Sequence, residues 1–112
     1  ATAWGISIKN YENNLNEILN RVGKSVVIGL CYPDPTNREI NQFYGDQRLD
    51  LYNQVAQKVA IKHNAPFVDI LSAMRKLKHI STYYQPDGQH LTDKGNEFLV
   101  NQIVPTLKKE LD

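Results

Sequence analysis

The 112 residues contain one cysteine, one methionine and one tryptophan, and no apolar run is longer than the stretch from Val26 to Cys31. A single Cys31 excludes an internal disulfide and any multi-cysteine metal site, and leaves the redox compartment open. The apolar run is far too short to cross a bilayer, and no charged-then-apolar leader precedes Trp4, so no membrane span is expected. Charge of one sign is also lacking: 13 basic against 12 acidic residues give a formal net charge of +1, which provides no general attraction to nucleic acid. The one basic cluster, Arg75-Lys76-Leu77-Lys78-His79, is short and carries no interleaved aromatics; it reads as a solvated loop or helix face. Internal repeats and low-complexity segments are absent. The chain opens on Ala1 rather than Met, which points to processing or truncation, and nothing in it specifies a compartment.

With 41% hydrophobic and 22% charged residues, the composition is that of one soluble globular domain. Tyr11, Leu15, Ile18, Leu19 and Val22 fall on one helical stripe, so a first helix is expected over about residues 9–22, ending near Gly23. Ser25-Val-Val-Ile-Gly-Leu-Cys31 is continuously apolar, as expected of a parallel strand covered on both faces. Tyr32-Pro33-Asp34-Pro35 ends it, because neither proline can donate to a ladder. An irregular stretch with room for a short helix reaches Gly45. Asp46 can cap a second helix through about His63, with Leu49, Tyr52, Val55, Ala56, Val59 and Ala60 as its buried stripe. Asn64-Ala65-Pro66 breaks it, Phe67-Val68-Asp69-Ile70 reads as a second strand, and a polar, basic loop follows. Thr92 can cap a last helix with apolar face Phe98, Leu99, Ile103, Leu107 and Leu111 and a kink or tightened turn near Pro105.

This order of elements implies right-handed crossovers and a parallel sheet. Two strands do not complete one, so further strands are expected from a preceding segment or another chain. The expected architecture is the carboxyl-terminal portion of a larger α/β/α domain. Sites in such sheets gather beyond the carboxyl ends of the strands, which groups the loop after Cys31 with the loop around residue 90.

That second loop, Pro86-Asp-Gly-Gln-His90-Leu-Thr-Asp-Lys-Gly95, carries the chemistry. Asp87 stands three residues before His90, where a carboxylate can accept the Nδ1 proton and fix the tautomer. Nε2 is then left to take a proton from a hydroxyl, which is the base-plus-orienter half of a hydrolytic triad. An Asp-Gly turn before a capped helix can also be plain turn chemistry. His63 and His79 lack an acidic neighbour at useful spacing and read as surface residues without a role. Asp69 reads as the cap of the turn after the second strand, and Ser72 has no glycine elbow around it.

The same segment, opening a final amphipathic helix, resembles the last block of the SGNH (GDSL) hydrolases. Tyr52-Asn53 and Phe67-Val68-Asp69-Ile70 resemble that family's penultimate βα unit. The resemblance covers essentially the whole chain but only the second half of the family's fold. It implies a flavodoxin-like, three-layer α/β/α domain with a parallel sheet, of which residues 1–112 supply the last βα units. It implies His90 as general base, Asp87 as its orienting carboxylate, and hydrolysis of an ester, thioester or O-acetyl substrate through an acyl-serine. The Gly-Asp-Ser block with the nucleophile, the central glycine and the Gly-x-Asn-Asp asparagine of the oxyanion hole are absent; Ala1 to Ile8 resemble the sequence just after that asparagine. The missing amino-terminal segment of the domain is therefore the implied partner, and the chain alone is expected to be inactive.

Tyr32, Asp34, Tyr83 and Tyr84 lie on loops near the expected site and could shape an acyl or alcohol pocket, although aromatics there more often pack locally; Trp4 is similar. Cys31 is the internal rival nucleophile, but Pro33 and Pro35 forbid an elbow that runs into a helix, so it reads as a buried small hydrophobe. Asp87 and His90 alone are too few ligands for a metal, and no metal or other cofactor is expected. The alternative to an enzyme is a noncatalytic half-domain or inactive relative acting as an interaction module.

Overall fold

The computed structural model describes residues 6–38 and 46–111. The first helix, α1 (Ile8–Arg21), is capped by Ser7, whose side chain accepts the Asn10 N–H at 3.1 Å. Strand β1 (Val27–Ile28) pairs in parallel with β2 (Phe67–Val68), in the register Val27 to Phe67 and Ile28 to Val68. Between them runs α2 (Asp46–Lys62). After β2 come a short helix, α3 (Ile70–Arg75), a 3-10 turn (Ile80–Tyr83) and the long α4 (Asp93–Leu111).

Helix α2 stops where Asn64 takes a left-handed φ of 54°. The Asn64 N–H then donates to the Ile61 carbonyl (3.1 Å) and the Ala65 N–H to the Ala60 carbonyl (2.8 Å). This is a Schellman cap, made affordable by asparagine's tolerance of that conformation and followed by Pro66, which cannot continue a helix. The expected stripe of α2 faces inward: Leu49, Ala56, Val59 and Ala60 are buried, and Tyr52 and Val55 half-buried. Together with Leu19, Val27 and the half-buried Tyr11, Leu15 and Phe67, most of these residues form one hydrophobic cluster. Lys58 reaches Glu12 (3.1 Å) and His63 Nε2 meets Asn16 Oδ1 (2.9 Å), which fastens α2 to α1. A second cluster gathers Val68, Ile70, Met74, Ile80 and Tyr84 with Val26, Phe98, Leu99 and Ile103. Neighbouring strand residues thus alternate between the two clusters, as the period of a strand requires.

Several expectations need correction: Ile18 and Val22 of the expected α1 stripe are exposed, and the second strand ends at Val68, with Asp69 and Ile70 passing into the next helix. The first strand is a two-residue ladder, extended by Val27 N–H to Pro66 O and Gly29 N–H to Val68 O, rather than seven residues, because a ladder lasts only as long as its partner. Its cover is incomplete on one face: Val26 packs on the second cluster, but Ile28 is 45% exposed. The segment after β2 is not a plain loop either. Asp69 caps α3 by accepting the Ser72 N–H (3.1 Å) and hydroxyl (2.7 Å), while Ile70, Leu71 and Met74 are almost fully buried. Each such side chain contributes about 1.5–3 kcal/mol, enough to fix one and a half turns that would not form alone. Helix α4 continues through Pro105. A short helix before Gly45, capping by the Asp46 side chain, the packing of Leu111 and the place of Trp4 fall outside the described residues.

Candidate active site

The site is built from the loops that follow the two strands. Tyr84 and Leu91 form an isolated antiparallel bridge, and the Gln85 N–H donates to the His90 carbonyl (2.7 Å), so residues 84–91 fold back as a hairpin. Its tip is a turn in which the Gly88 N–H donates to the Gln85 carbonyl (2.8 Å), with Pro86 supplying the pre-set φ. Gly88 takes a φ of +73°, which glycine adopts without a Cβ penalty.

Asp87 is held by this turn. Its Oδ1 accepts the backbone N–H groups of Gln89 (2.9 Å) and His90 (3.0 Å), and its Oδ2 meets His90 Nδ1. The His90 backbone bond contributes most, then those from Gln89 and the imidazole; together they hold the carboxyl at about 2, far below its usual value. The pair is open to solvent, with the His90 side chain 76% exposed. Among the described residues, no group is hydrogen-bonded to Nε2. A charged carboxylate accepting from Nδ1 leaves Nε2 as the basic nitrogen, able to accept a proton from a hydroxyl brought to it.

The hairpin rests on α4 and on the loop after β1. The Thr92 N–H donates to the Tyr83 carbonyl (3.0 Å), and Thr92 Oγ1 donates to the Thr82 carbonyl (3.0 Å) and accepts the Gly95 N–H (3.3 Å), capping α4. At Gly95 a Cβ would lie 2.2 Å from the Tyr83 carbonyl oxygen, so only glycine fits there. On the other side, the Tyr84 hydroxyl donates to the Tyr32 carbonyl (2.5 Å), and the Asp34 N–H donates to the Gly88 carbonyl (3.3 Å).

The side chains expected to shape a pocket are divided by this packing. Tyr84 is buried and its hydroxyl is committed, and desolvation, then the charges of Cys31 and Asp34, push its pKa up strongly. Tyr83 stacks edge-on against Phe98 with Lys94 over its ring. Asp34 is buried, folding back to accept the Thr36 N–H (2.9 Å) and hydroxyl (2.7 Å). The half-buried Tyr32 ring lies under the Arg75 guanidinium at 5.1 Å. Cys31 corrects the sequence reading: its residue surface is exposed rather than buried. Enough protein still surrounds the thiol to desolvate it and push its pKa up, the opposite of an activated thiolate.

Sequence reasoning quoted Asn53 only as part of the family resemblance and missed its role, which is to join the strand ends. It is buried on α2; its Oδ1 accepts the Leu30 N–H (3.1 Å) and its Nδ2 donates to Asp69 Oδ1 (3.1 Å). The signal was available: an asparagine between Leu49 and Ala56 on the apolar stripe must find buried partners. Burial works to raise the Asp69 pKa, but the bonds from Ser72 and Asn53 and the charge of Arg75 outweigh it and lower the pKa. Among the described residues no cluster of three or more His, Cys, Asp or Glu could hold a metal ion, and no helix is long and apolar enough to cross a membrane.

Residues 2–98 match the family model of the GDSL-like lipase/acylhydrolases. The chain belongs to that family. Among solved structures it is similar to a lipase/acylhydrolase from Enterococcus faecalis, at 27% identity and a TM-score of 0.84, covering 94% of this chain and 53% of that one. It also shares its fold with LAE5, an alpha/beta hydrolase enzyme from the metagenome of Lake Arreo, Spain, at 20% identity and a TM-score of 0.74, covering 94% of this chain and 49% of that one. The chain thus spans about half the length of these two relatives. No curated protein matches it. The small parallel sheet with its helices agrees with the α/β fold of these structures.

Proposed function

We propose that this chain carries the His/Asp half of a serine-type ester hydrolase site, with His90 as general base and Asp87 as its orienting carboxylate. The observation that carries the reading is the contact of Asp87 Oδ2 with His90 Nδ1, in a chain of the GDSL-like family and on a loop beside the strand ends. Two hydrophobic clusters alternating across β1 and β2 support a three-layer α/β/α domain. Half-length coverage of both relatives supports reading these residues as part of a longer domain; that they are its carboxyl-terminal βα units, with the nucleophile on a preceding segment, rests on the likeness of Pro86 to Gly95 to the family's last block.

The chemistry follows from the base. Nε2 takes the proton of a serine hydroxyl as its oxygen bonds to the ester carbonyl carbon. The imidazolium, steadied by Asp87, then gives that proton to the leaving alcohol as the ester C–O bond breaks. Water repeats the sequence on the acyl-serine: His90 accepts the water proton and returns it to the serine oxygen as the acid departs. Asp87 stays ionised throughout. The substrate class is a small ester, thioester or O-acetyl compound.

In the full protein, His90→Ala should lower turnover of a short-chain aryl ester about a thousandfold or more with the fold retained, and Asp87→Asn by roughly 10²–10⁴. Full turnover by His90→Ala, read from steady-state kinetics beside a circular dichroism spectrum, would remove His90 from the mechanism.

A further inference from the structure

Two proline turns face each other at the site. In the first, the Asn37 N–H donates to the Asp34 carbonyl (3.1 Å) around Pro35, and the Asp34 carboxylate braces the turn from within through Thr36. The second is the Gln85–Gly88 turn around Pro86 and Asp87. Two bonds join them: Asp34 N–H to the Gly88 carbonyl (3.3 Å) and Asn37 Nδ2 to the Pro86 carbonyl (3.3 Å). Gly88 packs closely on Asn37, since a Cβ there would come within 2.9–3.1 Å of three Asn37 side-chain atoms and could enter only if that side chain gave way. The Asn37 carboxamide therefore fills the concavity of the second turn and, with Asp34, grips the residues on either side of Asp87.

We propose that Asn37 is a positioning residue for the Asp87–His90 pair, seating the Pro86–Gly88 turn and so fixing the angle at which carboxylate meets imidazole. This rests on the hydrolytic reading of that pair. Asn37 touches neither side chain of the pair in the bonds described; it acts through the turn. Removing its amide leaves the bonds of Asp87 Oδ1 to residues 89 and 90 in place, so the turn persists but loses its seat. The consequence falls on orientation, and hence on kcat more than on KM.

The test compares Asn37→Ala and Asn37→Asp in the full protein. The second keeps the shape, removes the donor and sets a carboxylate against the Pro86 carbonyl, so it remains informative if the first fails to fold. Two readouts are taken: turnover of a short-chain aryl ester, and the ¹⁵N shifts of the His90 ring, assigned with His90→Gln. In both variants kcat should fall about 10–100-fold with KM within about twofold, and the His90 nitrogens should move from a predominantly Nδ1-protonated neutral ring towards a mixture of tautomers. Unchanged nitrogen shifts in both variants would overturn the proposal even if turnover fell. Failure of the hydrolytic reading is seen separately, as full turnover by His90→Ala, and the nitrogen shifts still decide whether Asn37 seats the ring.

Discussion

Asp87 shows how much one exposed carboxylate can be shifted by local geometry. It is solvent-accessible, yet three hydrogen bonds favour its ionised form and bring its pKa to about 2. A lowered folded-state value means that its stabilising effect is present above the ordinary carboxyl range and is lost as pH falls toward 2. Its carboxyl ¹³C resonance should therefore titrate with a midpoint near 2, and the acid limb of any pH–rate profile must belong to another group. A midpoint near 4 would show that the turn is not holding the side chain. Gly29 shows close packing rather than charge: a Cβ there would lie 2.5 Å from Asn53 Oδ1 and 2.9 Å from Phe67 Cζ. Gly29→Ala should cost about 1–3 kcal/mol in urea unfolding, because the Asn53 bridge between the strand ends must shift to admit the methyl group.

At the scale of elements, helix ends matter more than helix interiors. Asn64 in the left-handed region closes α2, so Asn64→Ala should destabilise by about 1 kcal/mol while Asn64→Gly is neutral or slightly favourable, as thermal melts would show. The helices themselves were legible in the residues: the bounds of α1 and α2 and the Thr92 cap of α4 lie within one or two positions of where periodicity and capping residues put them, although Ile18 and Val22 of the expected α1 stripe are exposed. Helix α3 was not, because six residues carry too short a period to read, and only burial of Ile70, Leu71 and Met74 makes the helix stable. Strand ends were overestimated for a related reason. Apolar character marks where a strand could run, but hydrogen bonding ends with the partner, and β2 offers only Phe67 and Val68. The spacing of Asp87 and His90 was legible because turn chemistry is local. The Asn37 and Asn53 contacts were not, since each joins residues more than fifteen positions apart.

For the whole molecule, the body is broader and thinner than a compact domain of this length. The radius of gyration is 14.7 Å, with extents of 38 × 35 × 18 Å, against about 13 Å for a compact domain of this length. The broad, thin body leaves Ile28 on the sheet and Ile61 on α2 well exposed. If the nucleophile belongs to a preceding segment, a fluorophosphonate probe should leave these 112 residues unlabelled and should modify a serine outside them when the full protein is treated. Stoichiometric adduct on a peptide within residues 1–112, found by mass spectrometry, would place the nucleophile inside this chain.

The bare α-carbon of Gly95 has a mechanical consequence. With no space between the opening turn of α4 and the backbone of Tyr83, a nineteen-residue rod roughly 28 Å long is bolted to the base of the hairpin. Tilting that rod at its far end would turn the hairpin with little slack. A spin label on exposed Lys108 would then register a reorientation of the imidazole from well outside the site.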